Sequence, residues 1–336
     1  MSKILVTGGT GFLGRFIMDR LIREKFDIRA LVRNPKHPAI QEWYSHVEIV
    51  QGDIMDIASL ESAMEGVTHV IHSAAVVSFH QKEHFKMKKI NEMGTANVVN
   101  LCLEKGIKRL VHVSSVSALG RTEKNEILNE NTKWQDSPLN TAYAKSKYLA
   151  EKQVYRGIEE GLNAVICSPS MIMGYGDWNQ GTPKMFSMIY KGFPFYPEGS
   201  NGFVGAVDVA EAIRIFLDDP RAIGKKYILS QSNMTYKKLF ELIAFALNKP
   251  APKWKIPKSI SLVYGSISEF IGEIFHQPSL VTRETAMTAS QFFQYDGSLI
   301  TKELGFVYTP IEIILKETAA LFLKEQVLDK QTKKAK

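Results

Sequence analysis

Apolar residues in this 336-residue chain recur in two rhythms. Short β-branched runs at 3–7, 27–33, 47–51, 68–73, 109–114 and 162–168 alternate with stretches whose apolar positions return every three or four residues. The first rhythm predicts strands. The second predicts helices over about 12–25, 40–44, 57–64, a long one ending near 105, and 141–161. Several strand runs are apolar throughout, as a sheet covered on both faces requires. Strand–helix repetition with right-handed crossovers predicts an α/β fold with a doubly wound parallel sheet.

After Pro169 the pattern changes. Residues 170–205 are rich in Gly, Pro and aromatic side chains. Helices are predicted over 206–217 and 236–247 with a strand at 227–229 between them, and a last helix over about 311–324. No segment repeats another. The division predicted is a sheet domain over 1–168, a smaller mixed substrate-binding lobe over 169–325 packed at the mouth of the sheet, and a tail over 326–336.

Composition narrows the class. Hydrophobic residues make up 45% and charged residues 23%, the balance of a globular protein with a large core. The net charge is +7, and the stretch from Lys324 onward, with five Lys against Glu325 and Asp329, supplies +3 of it. That end is expected to be solvated and disordered. An isolated lysine cluster is weak support for nucleic-acid or membrane binding, and neither partner is expected. Cys102 and Cys167 both lie in apolar runs, too few for a disulfide framework, and are expected to be buried thiols in a reducing compartment. The chain starts directly on strand pattern, and no apolar run reaches the roughly 20 residues that span a bilayer. The expectation is a cytoplasmic protein with no bound metal.

The stretch "VTGGTGFLG" carries the first chemistry. Gly8, Gly11 and Gly14 follow the first strand and open the first helix. Gly8 permits a sharp turn out of the strand. Gly11 removes a side chain where a pyrophosphate must touch backbone, and Gly14 allows close helix–sheet packing. The helix start offers free N–H groups and a partial positive charge to phosphate. Gly8, Thr10, Gly11, Phe12 and Leu13 are therefore candidate dinucleotide contacts. The second strand ends in "ALVRNPK". A carboxylate there suits the ribose hydroxyls of NAD, whereas Arg33, with Lys36 close behind, suits a 2′-phosphate. The prediction is NADP(H) over NAD(H), with solvated Arg33 as the plain alternative.

"TAYAKSKYLAE" poses a choice. Tyr143 and Lys147 are four apart, and so are Tyr148 and Lys152. Residues four apart share one helix face, so either pair could set an ammonium beside a phenol. Such an ammonium favours phenolate and lowers the phenol from its usual pKa of about 10, making a general acid–base near neutral pH. Spacing alone does not separate the pairs.

Taken together these stretches resemble the extended short-chain dehydrogenase/reductases, in the NAD(P)-dependent epimerase/dehydratase superfamily, over nearly the whole chain. "TGGTGFLG" is similar to the family's T-G-x-x-G-x-x-G, "GDIMD" to its G-D-x-x-D, "VIHSAA" to its fourth-strand signature, "VSSVSALG" to its fifth-strand serine motif and "YAKSKYLAE" to its Y-x-x-S-K-x-x-A-E. The resemblance implies a Rossmann-type dinucleotide-binding domain. It selects Tyr143 and Lys147 as the dyad and Ser115 as the third catalytic group. It places Asp53 and Ile54 beside the adenine, and Ala74, Ala75, Asn91, Ser114 and Pro169 along the cofactor. Asn91 could equally be a helix-face residue bonded to backbone. His72 and His112, in central strands, are expected to be packed core histidines.

Departures from the family point to a branch. The residues after the catalytic-position serine are Val116, Ser117 and Ala118, without the acidic side chains of sugar-nucleotide dehydratases. No Arg or Lys lies between Gly192 and Asp208, where epimerases often hold a diphosphate. Candidate substrate walls are apolar and aromatic: Phe79, His80, 171–173, Trp178, Phe186, Tyr190, Phe193, Phe195 and Tyr196, with the lobe's own core as the equal alternative for any one of them. The features are most similar to the dihydroflavonol 4-reductase and 3β-hydroxysteroid dehydrogenase-like branch. That implies carbonyl–alcohol interconversion on a bulky, largely apolar small molecule. The alternatives are a sugar-nucleotide epimerase and a non-enzymatic NADP(H)-sensing protein. Amphipathic stretches at 259–275 and 311–323 would cover the lobe or form a homodimer face.

Overall fold

A computed structural model describes residues 2–43, 45–121, 126–257 and 282–334. The chain opens with strand β1 (Lys3–Thr7), helix α1 (Phe12–Arg23), β2 (Asp27–Val32), β3 (Val47–Gln51), α2 (Ile57–Met64), β4 (His69–His72), α3 (His84–Glu104) and β5 (Arg109–Val113). There follow β6 (Ile127–Leu128), α4 (Ala142–Glu159), β7 (Ala164–Pro169), β8 (Met171–Met173), α5 (Pro183–Tyr190), β9 (Phe195–Pro197), β10 (Ser200–Gly205), α6 (Ala206–Asp218) and β11 (Lys226–Leu229). The chain continues with β12 (Ser232–Thr235), α7 (Tyr236–Ala246), β13 (Trp254–Ile256), α8 (Arg283–Ala289), β14 (Gln294–Tyr295), α9 (Leu299–Leu304) and α10 (Ile311–Lys334).

Seven parallel strands form the large sheet in the order β11-β7-β5-β4-β1-β2-β3. The order reverses beside β1, and open α/β sheets bind ligands at that crevice. Strand side chains alternate between two cores, which explains runs that are apolar at every position. Ile4, Val6, Val111 and Val113 pack with Phe16, Ile17 and Phe216 of α1 and α6. Leu5 and Leu110 pack with Val98, Val99 and Val154 of α3 and α4 on the other face.

Three expectations need correction. The sheet does not end at residue 168: α6 packs on the α1 face and β11 pairs in parallel with β7, so 206–229 returns to the large sheet. The helix expected at 40–44 is a 3-10 turn over Pro38–Glu42. The last helix overruns Lys324 and continues to Lys334, so the residues read as a disordered tail prolong it. The expected amphipathic stretch at 259–275 lies outside the described residues.

The second lobe is built on a three-stranded sheet, β12-β10-β8, with a core of its own. Most of the aromatic insert belongs to that core. Phe186 is 0% exposed, and Trp178 and Tyr190 set their rings against Phe322 of α10 at 4.9 and 5.2 Å. Met173 is likewise fully buried. Phe186 and Met173 thus take the lobe-core alternative, and Trp178 and Tyr190 pack against that core.

Candidate active site

The turn after β1 has the geometry its glycines predict. Gly8 adopts φ +77°, and a Cβ there would lie 2.5 Å from the Ala74 nitrogen. A Cβ on Gly14 would lie 2.1 Å from the Gly8 carbonyl oxygen, so α1 can approach the turn only because residue 14 is Gly. Gly11 is exposed and caps α1 without any side-chain hydrogen bond, and the first turn has no acidic residue. With no side chain at residue 11, the first-turn N–H groups form an anion cradle that fits a pyrophosphate. Thr10 and Phe12 are partly exposed at its rim, whereas the Leu13 side chain is in the core. The turn is tied to the end of β4 because the Ala74 N–H donates to Thr7 Oγ1 at 3.3 Å.

At the neighbouring strand ends, Arg33 is exposed just past β2. Asp53 follows β3, where its carboxylate accepts the Met55 N–H at 2.9 Å. Ile54 is buried against Gly94 of α3, its side chain committed to packing. Ala75 is exposed beyond Ala74. Pro169 is buried at the end of β7, in register with Leu229. Ser114 donates its N–H to the Cys167 carbonyl at 2.7 Å, and its buried hydroxyl has no partner among the described residues.

Asn91 takes the backbone-bonded role. Its Oδ1 accepts the Val76 N–H at 2.8 Å, and its Nδ2 donates to the Val76 carbonyl at 2.9 Å and to Ser146 Oγ at 3.0 Å. It therefore clamps the segment after β4 to α3 and α4, holding the wall of the crevice from behind. His72 belongs to a second fixed chain. Thr95 Oγ1 donates to the Asn91 carbonyl at 2.6 Å, so it accepts from His72 Nε2 at 3.1 Å, and His72 Nδ1 accepts from Thr7 Oγ1 at 2.8 Å. Burial holds His72 neutral, with its pKa depressed to about 3. His112 stands beside it, ring centroids 5.3 Å apart, and burial also lowers its pKa far below the usual value. Both are core histidines, as the sequence suggested.

Ser115 and Tyr143 come together at the C-terminal end of β5, the serine hydroxyl close enough to the phenol to favour its ionised form. Ser115 caps a 3-10 turn over Val116–Leu119, its Oγ accepting the Ser117 N–H at 3.2 Å. Tyr143 sits in the first turn of α4, which is held twice: Thr141 Oγ1 accepts the Ala144 N–H at 3.0 Å, and Glu284 of α8 accepts the Ala142 N–H at 2.7 Å. Phe79 faces the Tyr143 ring at 6.0 Å, so it alone of the aromatic wall candidates is tied to the dyad among the contacts described. Lys147, one turn on, is 3% exposed and donates to the Val113 carbonyl at 2.7 Å.

The electrostatics differ from expectation in one respect. Burial raises the Tyr143 pKa, and the Ser115 hydrogen bond offsets part of that rise; the Lys147 charge is not among the influences on the phenol. Lys147 itself is pushed down to about 8 by burial, with the Glu151 carboxylate acting against the fall. The second pair has no comparable setting: Tyr148 stacks on Trp134 at 4.4 Å, and Lys152 lies over the Tyr148 ring on the outer face of α4.

Sequence reading passed over Arg121. It is 7% exposed and donates to the Leu139 carbonyl and to Thr288 Oγ1 of α8, with its guanidinium over the Phe293 ring. It fastens the loop after β5 to the second lobe. Among the described residues no group of His, Cys, Asp and Glu could hold a metal, and no helix is long and apolar enough to cross a membrane.

Comparison with known proteins shows the family and the fold. Residues 5–191 match the 3-beta hydroxysteroid dehydrogenase/isomerase family. The chain is 32% identical to tetraketide alpha-pyrone reductase 2 of Arabidopsis thaliana, over 72% of this chain and 82% of that protein. It is 27% identical to 3 beta-hydroxysteroid dehydrogenase/Delta 5-->4-isomerase of Vaccinia virus, over 93% and 95% of the two chains. The crystal structure of gox2253 superposes with a TM-score of 0.81 at 29% identity, covering 97% and 99%. The Bordetella bronchiseptica enzyme WbmH, solved with NAD+, shares the fold at a TM-score of 0.73 and 18% identity, covering 96% and 98%. The chain belongs to the 3-beta hydroxysteroid dehydrogenase/isomerase family, within the NAD(P)-dependent oxidoreductases.

Proposed function

We propose that this protein is an NADP(H)-dependent oxidoreductase that interconverts a carbonyl and an alcohol on a bulky, largely apolar small molecule. The observation that carries the reading is the convergence of Ser115, just past β5, and Tyr143, in the first turn of α4, with Lys147 anchored one turn on. Two hydroxyls from different elements converge where a substrate oxygen would sit, the arrangement a proton transfer to or from that oxygen needs.

The α1 cradle would hold the pyrophosphate of the dinucleotide, and Arg33 its 2′-phosphate, since no carboxylate stands at the end of β2. The bound cofactor supplies the hydride. The protein's own groups supply the rest. Tyr143 gives its phenolic proton to the developing alkoxide, or removes it in the reverse direction. Ser115 donates a hydrogen bond to the same oxygen. Lys147 fixes the helix–strand geometry through Val113 and would hold the nicotinamide ribose. Phe79 provides an apolar wall against Tyr143.

The test is an oxidation screen with NADPH and NADH in parallel across bulky ketones and aldehydes. Consumption of NADPH in preference to NADH by at least one such carbonyl supports the reading. Cofactor retained without net consumption in the presence of a UDP- or GDP-sugar would replace it with epimerisation.

A further inference from the structure

The buried face of α4 carries more charge than the dyad requires. Glu151 lies one turn beyond Lys147 and is 2% exposed. Its Oε2 meets the Lys226 Nζ of β11 at 2.6 Å, and its Oε1 accepts from Ser168 Oγ of β7 at 3.3 Å. The Lys226 side chain is 9% exposed and lies over the Tyr155 ring at 5.6 Å. A buried ion pair is commonly no better for stability than apolar side chains of the same volume, because both ions lose their hydration. Its presence at the edge of the sheet, between two helical turns and two strands, therefore asks for another role.

The surroundings of Lys147 indicate one. Its charge is felt by His72 of β4 and His112 of β5, both held neutral by burial. It is also felt by Cys167 of β7, whose thiol burial pushes up and so keeps protonated. On α4 itself the neighbours are Tyr143, a neutral phenol, and Glu151. Among the described residues around Lys147, Glu151 is thus the counter-charge available to a buried ammonium. Residues four apart on a helix are within Coulombic reach, and the interior weakens the field far less than water does.

We propose that Glu151, locked in place by Lys226 and Ser168, is a positioning residue for Lys147: its carboxylate keeps the ammonium charged at neutral pH and directed at the Val113 carbonyl. This rests on the reading that Lys147 acts as an ammonium in the reaction. Lys226 is the strut of the device. Because β11 is the edge strand formed by the chain's return to the large sheet, the second half of the sequence reaches the dyad through this contact.

The experiment compares the full-length protein with Glu151→Gln and with the double variant E151Q/K226M. The double variant removes both charges, so no unpaired ammonium remains buried if the single variant folds poorly. Two readouts are taken: the alkaline limb of kcat/KM for carbonyl reduction, and the Lys147 titration followed by carbon-13 NMR of the labelled ε-carbon. Both are expected to move to lower pH by about one unit, with turnover and NADPH binding at pH ~6 within about twofold of the parent. A Lys147 titration unchanged in both variants would overturn the proposal, because a merely structural pair would alter stability and leave that titration in place. An NMR shift in a protein that turns over no carbonyl would uphold the pairing and contradict the functional reading instead.

Discussion

Lys147 donates to the carbonyl oxygen of Val113 at 2.7 Å, joining the helix that carries the candidate acid to the strand that leads to the candidate serine. The bond makes α4 and β5 one unit at the level of the reacting groups. It also leaves the ammonium buried, where loss of hydration opposes its charge. The pH dependence follows. Lys147 is depressed from 10.5 to about 8, so its charge is present below that pH and lost above it. Carbonyl reduction is expected to fall as pH rises through about 8, by about tenfold per unit once well past it, in the profile of kcat/KM. A limb displaced to the ordinary lysine range would contradict this assignment.

The two central histidines predict acid sensitivity of the fold. His72 is lowered from 6.5 to about 3, so the unfolded chain binds a proton that the folded one excludes across that window. Stability therefore rises with pH from about 3 to 6.5 and is lost as the medium is acidified through it. His112, lowered in the same direction, adds to the slope. Denaturant unfolding followed between pH 4 and 7, in wild type and in His112→Leu, measures this; the variant is expected to show the shallower dependence.

The glycine turn predicts large responses to a single methyl group. Gly14→Ala forces a carbon against the Gly8 carbonyl, where no flexible side chain can yield, and is expected to cost about 1–3 kcal/mol by thermal or chemical unfolding. Gly8→Ala adds a left-handed φ to a backbone clash, at about 1–2 kcal/mol for the conformation alone. Both variants should also lose dinucleotide affinity, read by titration of NADPH fluorescence. Gly11→Ala, which meets only the Gly8 oxygen at 3.3 Å, separates the effects: near-native stability with weakened cofactor binding.

The proposed preference for NADPH rests on Arg33. Arg33→Ser removes the cation proposed for the 2′-phosphate and should raise the KM for NADPH about tenfold while leaving that for NADH nearly unchanged. Equal effects on the two cofactors would place Arg33 in general stability or in neither site.

Much of this architecture was legible in the residues, for reasons that differ from element to element. The strands around β1 announce themselves because both faces are covered, and the glycine turn because each glycine answers a separate steric demand. The candidate dyad was singled out by the resemblance of its flanking Ser, Lys, Ala and Glu to the family motif, since helical spacing treats Tyr148 and Lys152 alike. What stayed hidden depends on contacts made far along the chain. Arg121 meets Thr288 across 167 residues and Ala142 meets Glu284 across 142, so no local pattern marks either. The return of β11 to the sheet was obscured by a strand of four residues. The aromatic insert stayed ambiguous because a lobe core and a substrate pocket use the same side chains, and burial assigns Phe186 to the core.

The central claim is that the Tyr143 hydroxyl carries the proton. Tyr143→Phe keeps the ring that packs on Phe79 and deletes only the phenolic oxygen that Ser115 influences. The most direct measurement is NADPH oxidation by this variant with a carbonyl that the parent reduces, alongside NADPH affinity in the same preparation. The account predicts a fall in kcat of about 100-fold or more with cofactor affinity within about twofold of the parent. Turnover retained at the parent's rate, with the cofactor still bound, would contradict it.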